Sequence, residues 1–72
     1  MRELKNVTVK KDGRVLVSGA TGAADDDRAE VYADNPGLDA GDLVEIYADD
    51  GFEKPGYFID ERPAGTLNFK IQ

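Results

Sequence analysis

Thr66-Leu67-Asn68-Phe69-Lys70-Ile71-Gln72 is the stretch that decides the fold class of this chain. Leu67, Phe69 and Ile71 alternate with Thr66, Asn68, Lys70 and Gln72, and a period of two puts the two sets on opposite faces of a β-strand. The apolar set is assigned inward and the polar set outward. Leu43 to Ala48 repeats the pattern, with Val44, Ile46 and Ala48 on one face and Leu43, Glu45 and Tyr47 on the other. Val44, Ile46, Leu67, Phe69 and Ile71 are therefore expected to be buried together.

The remaining segments fit the same class. Ala29, Val31 and Ala33 alternate with Glu30 and Tyr32, and Asp34-Asn35-Pro36-Gly37 ends that strand as a turn. Tyr57 to Asp60 reads as a short strand between Lys54-Pro55-Gly56 and Arg62-Pro63-Ala64-Gly65. Near the start, Leu4 to Lys11 and Arg14 to Val17 flank Asp12-Gly13, the dipeptide of a type I′ hairpin turn. A two-residue loop there sets Lys11 opposite Arg14, Lys10 opposite Val15 and Val9 opposite Leu16. Ser18 to Asp27 is small and polar without a period, and is expected to be a loop. No window of helical length has helical periodicity, which leaves room for one helical turn at most, at Ala23 to Arg28 or Pro36 to Ala40. The whole reads as a single all-β domain over residues 1–72: a small five- to six-stranded antiparallel barrel, or a two-layer sandwich, opening with a β-hairpin.

Length and composition narrow the function. A domain of 72 residues buries only about 60% of the surface its unfolded chain exposes, so its core is thin. The chain has no cysteine and no histidine. That removes disulfides, thiolate or imidazole metal sites, a cysteine nucleophile and a histidine base. A Walker-type loop and a serine elbow are absent, and so small an interior leaves little room for a catalytic cleft. The expectation is a non-enzymatic protein with no cofactor. A thin core without staples also favours docking onto a second copy or a larger assembly. No stretch approaches the roughly 20 apolar residues of a membrane span, and the first residues lack the apolar core of a signal peptide. The chain is expected in the cytoplasm, or in a virion assembled there, without membrane contact.

Charge is unevenly divided along the sequence. Met1 to Arg14 holds five basic residues against two acidic ones, and the rest holds four against thirteen, for a net charge of -6. The densest acidic group is Asp25-Asp26-Asp27 with Glu30. Adjacent aspartates lack the alternation of a calcium loop, so this group reads as a solvated loop or as an acidic surface for a basic partner. Asp34, Asp39 and Asp42, around Asn35-Pro36-Gly37, read as caps of their own turns. Phe52 to Phe58 gathers Phe52, Tyr57 and Phe58 around a proline and a glycine. It is expected to be a loop whose rings either plug a barrel end or anchor an interface. Lys10, Lys11 and Arg14 cluster at the hairpin tip, and the like charges of Lys11 and Arg14 invite an anionic neighbour.

Lys11-Asp12-Gly13-Arg14-Val15 and Gly37-Leu38-Asp39-Ala40-Gly41-Asp42-Leu43-Val44-Glu45-Ile46 together resemble the opening turn and the Leu-x-x-Gly-Asp-x-Val-Glu segment of AbrB-type swapped-hairpin transcription factors. The resemblance implies a homodimer that grips DNA with Lys10, Lys11 and Arg14. The acidity of the remaining chain opposes phosphate binding, so duplex DNA is not the expected partner. The primary expectation is an acidic interaction module that docks on a protein partner or assembly. It would act as a virion decoration or adaptor-type accessory subunit, or as an inhibitor presenting carboxylates to a nucleic-acid-binding cleft. Its contact residues would be Asp25, Asp26, Asp27, Glu30, Phe52, Tyr57, Lys10, Lys11 and Arg14.

Overall fold

The computed structural model describes all residues from Met1 to Gln72. Six strands are present: β1 (Arg2–Lys11), β2 (Arg14–Ala24), β3 (Arg28–Tyr32), β4 (Leu43–Ala48), β5 (Phe52–Glu61) and β6 (Thr66–Ile71). They close an antiparallel barrel in the order β1-β2-β3-β6-β5-β4. This is the barrel alternative of the sequence reading. Neither candidate helical turn forms, since Ala23 and Ala24 belong to β2, Arg28 to β3, and Pro36 to Ala40 to an irregular connection.

The barrel is filled by its own side chains. Val44, Ile46, Leu67, Phe69 and Ile71 share one cluster with Leu4, Val7, Val9, Val17, Val31, Phe52 and Phe58. Phe58 and Phe69 are opposite each other on β5 and β6, and their rings meet edge to face with centroids 5.7 Å apart. Outward positions of β6 differ from expectation at one residue. Thr66 takes the outward face beside Tyr32 of β3, yet it is 9% exposed.

The first hairpin forms through Asp12 and Gly13, both at positive φ (51° and 79°), as a type I′ turn requires. Lys11 faces Arg14 and Lys10 faces Val15, but Val9 faces Val17 instead of Leu16. Leu16 is the extra residue of a bulge, which turns Val17 into the core and leaves Leu16 half-buried against it.

Two stretches assigned to loops are strands. Ser18 to Ala24 continues β2, because its small residues suit a place where neighbouring backbones approach closely. Gly22 sits between Leu4 and Val31, and a Cβ there would collide with the carbonyl of Glu30. Leu4 and Val31 supply the volume that this segment lacks. Phe52 to Glu61 forms one continuous β5, so Phe52 to Phe58 is not a loop. Pro55 is accommodated because the β5–β6 ladder ends beside it, an edge position where a missing N–H is tolerated. Its carbonyl accepts the N–H of Gln72 at 3.1 Å.

The connection from β3 to β4 closes one barrel end. Asn35 Oδ1 accepts the N–H groups of Gly37 (2.9 Å) and Leu38 (2.6 Å), and its Nδ2 donates to the Leu38 carbonyl at 3.0 Å. That Asx turn drives Leu38 into the core, where it is 4% exposed. Asp42 caps the N–H of Asp39 at 2.9 Å, the turn role read from the sequence.

Candidate interaction surfaces

Folding separates the candidate residues onto three parts of the surface. Asp25, Asp26 and Asp27 form the β2–β3 turn at one barrel end, and Lys10, Lys11 and Arg14 stand at the opposite end. Glu30 and Tyr57 lie on the outer wall.

At the acidic end, Asp25 and Asp26 line a groove of about 310 Å³ with Met1, Arg2, Ala24, Phe52, Lys54 and Ile71. The three aspartates have different surroundings. Asp25 lies 3.6 Å from the terminal amine of Met1, Asp27 pairs with Lys70 Nζ at 3.0 Å, and Asp26 is exposed. The Lys70 hydrogen bond, reinforced by its charge, holds the Asp27 carboxyl below its ordinary range. Phe52 closes the floor of this end at 8% exposure. The Arg2 guanidinium lies 5.4 Å from its ring centre and reaches the Asp50 carbonyl at 3.3 Å. Phe52 is thus a plug covered by an intramolecular cation and is not a free anchor.

On the outer wall, Tyr57 is half-buried between Leu43 of β4 and Lys70 of β6. Glu30 lies opposite Ala23 and Asn68. The amide of Asn68 is held at 2.9 Å by Asp60 and at 2.9 Å by the Arg62 carbonyl. Tyr47, beside Glu45 and Glu53, has its phenol pushed up by desolvation first and by these two carboxylates second.

The basic tip is largely matched within the molecule. Lys11 meets Asp42 at 3.1 Å, and Lys10 lies 5.2 Å from the Tyr47 ring centre. Asp42 is held below its ordinary range first by the Asp39 N–H and then by Lys11. The anionic neighbour of Lys11 is this carboxylate of the same chain. Arg14 alone of the three stays exposed without such a partner. Because β1 pairs with β4 as well as with β2, Lys10 of the basic segment lies opposite Glu45. Sequence reading missed Arg2 as the cover of Phe52 and Asp42 as the partner of Lys11. Both depend on contacts between distant segments, and no local pattern announces them.

None of the helical spans that cross membranes is present, since no helix is long and apolar enough. Comparison with known protein families, with curated proteins and with solved structures finds no match to this chain.

Proposed function

We propose that this protein is a non-enzymatic interaction module that presents carboxylates to a basic protein surface, as an accessory subunit of a larger assembly or as an inhibitor of a nucleic-acid-binding cleft. The observation that supports this most is the net charge of -6, which the internal ion pairs leave intact because each removes one charge of either sign. Lys11 and Lys70 each pair with one carboxylate of the same chain, and Asp26 and Glu30 stay free of ion pairs. The unbalanced charge offered to a partner is therefore negative, and it would steer encounter with a cationic surface.

The swapped-hairpin DNA regulator remains the alternative of a different class. It would require the first hairpin to be exchanged between chains, whereas β1 here pairs with β4 of its own chain and Lys11 is already neutralised. A direct test isolates the native complex from its source by mass and identifies the bound protein. Asp25→Asn, Asp26→Asn and Asp27→Asn together should then slow association and flatten its salt dependence. Unchanged association would remove the acidic turn from the interface. Submicromolar, salt-sensitive duplex DNA binding, lost on replacing Lys10, Lys11 and Arg14 by alanine, would establish the alternative instead.

A further inference from the structure

The outward residues of β4 and β5 form one strip of the barrel wall. Leu43, Glu45 and Tyr47 alternate outward along β4, and they stand opposite Tyr57, Pro55 and Glu53 of β5. Leu43 is 66% exposed, Pro55 is exposed and fixed in φ, and both tyrosines are half-buried. A groove of about 300 Å³ opens along Leu43, Glu45 and Pro55, with Lys10 and Asp12 on its rim. The only charges on the strip are Glu45 and Glu53, both exposed and both free of ion pairs. They are diagonal neighbours across the ladder, and Tyr47 lies between them, its phenol raised first by desolvation and then by these two carboxylates. The nearest cations are turned to other groups. Lys10, opposite Glu45, lies 5.2 Å from the Tyr47 ring centre, and Lys70, opposite Tyr57, holds Asp27 at 3.0 Å.

We infer that this strip docks an extended basic segment of a partner protein, with an arginine between Glu45 and Glu53 and an apolar side chain two positions away on Leu43. Charge complementarity selects that occupant. Two unpaired carboxylates beside an apolar strip match a cation carried next to an apolar group, and a planar guanidinium can face both carboxylates while lying against a tyrosine ring. The spacing follows from β4, where Glu45 and Leu43 are two residues apart, because an extended segment repeats its facing side chains at the same interval. The phosphates of a nucleic acid would be repelled by Glu45 and Glu53. A second copy of the strip would bring the same two charges against them. The contact is small, so a short segment is expected to bind weakly.

This inference takes from the acidic-surface reading only the sign of the partner and uses none of Asp25, Asp26, Asp27 or Glu30, so either can fail alone. The probe is a blocked, glycine-flanked peptide with an arginine and a leucine two positions apart, titrated to millimolar concentration while the amide chemical shifts of the protein are followed. The expected result is saturable shift changes gathered on Leu43 to Tyr47 and Glu53 to Tyr57. Glu45→Gln combined with Glu53→Gln should weaken the peptide about 2- to 30-fold. Leu43→Ser should weaken it as well, and both variants replace exposed residues and should keep the wild-type melting curve. Two control peptides, one with glutamate for the arginine and one with serine for the leucine, make the same comparison without altering the protein, and each should bind more weakly than the probe. Asp25→Asn, Asp26→Asn and Asp27→Asn together should leave the affinity for the probe as in wild type. An absence of saturable shifts, shifts centred on Asp25 to Asp27, or an affinity indifferent to the arginine or to the leucine would each overturn the proposal.

Discussion

The two halves of β2 show what closing a barrel accomplishes. Thr21 to Ala24 is flanked by β1 and β3, and its residues Gly22, Ala23 and Ala24 are buried although none is large. Arg14 to Ala20 has better strand formers, but only one neighbour, and it leaves Val15 and Ser18 in solvent. Three of the four residues from Thr21 to Ala24 are buried, against Val17 alone among the seven from Arg14 to Ala20, so burial here follows the number of flanking strands more than the hydrophobicity of the segment. Substitutions in the closed half should accordingly cost much, and those near the open half little unless they strain the backbone.

The largest effect is expected where the closed half meets the core. Phe69 lies opposite Ala29 on one side and Phe58 on the other, and it is fully buried. Phe69→Ala removes a ring from a core with few others and should cost about 3–5 kcal/mol, comparable to the stability of a marginal domain. Denaturant titration should find the variant unfolded or close to it. Wild-type stability would show that the ring is dispensable to the core.

Next comes Gly22, where the closed half depends on close approach. An added Cβ would strike the backbone carbonyl of Glu30, and a backbone atom cannot turn aside as a flexible side chain can. Gly22→Ala should cost about 1–3 kcal/mol by pushing β2 from β3. Gly19 in the open half would also resist alanine, but for a different reason, since nothing crowds its Cβ position and the strain comes from its φ of 72°. A melting temperature unchanged by Gly22→Ala would contradict the difference drawn between the halves.

These two sites also mark how far the sequence could be read. Phe69 was legible because its alternation with Asn68 and Lys70 is local, and the same holds for Val44 and Ile46. The strand at Ser18 to Ala24 was not legible. Small residues carry no periodic signal, and their strand state depends on Leu4 and Val31, which are distant in sequence. β5 hid for a related reason, since Pro55 and Gly56 resemble a turn until the end of the β6 ladder is known. Among the candidate contact residues, the acidic turn and the hairpin tip were readable as charge clusters. That Lys11 is matched by Asp42, and that Phe52 lies under Arg2, could only come from tertiary proximity.

The smallest effect is expected at the two ion pairs that tie opposite barrel ends. Asp27 joins the β2–β3 turn to β6 through Lys70, and Asp42 joins the β3–β4 connection to the first hairpin through Lys11. Both carboxyls are held below their ordinary value of 3.8 in the folded protein. A group with a depressed folded value binds protons more readily when unfolded, so its stabilisation is complete above 3.8. It declines as pH falls through that value and is lost below the folded one. The effect is modest because these groups are solvent-screened. The denaturation midpoint of wild type should therefore fall on acidification through this window. Asp27→Asn and Asp42→Asn should each flatten part of that fall and lower the midpoint near neutral pH. Salt should shrink the neutral-pH difference for Asp27→Asn more, because its partner Lys70 is the first cause of the lowered value. The Asp39 N–H comes first for Asp42, and a neutral donor is less easily screened. Equal salt sensitivity at the two sites would show that both ends are held by charge alone.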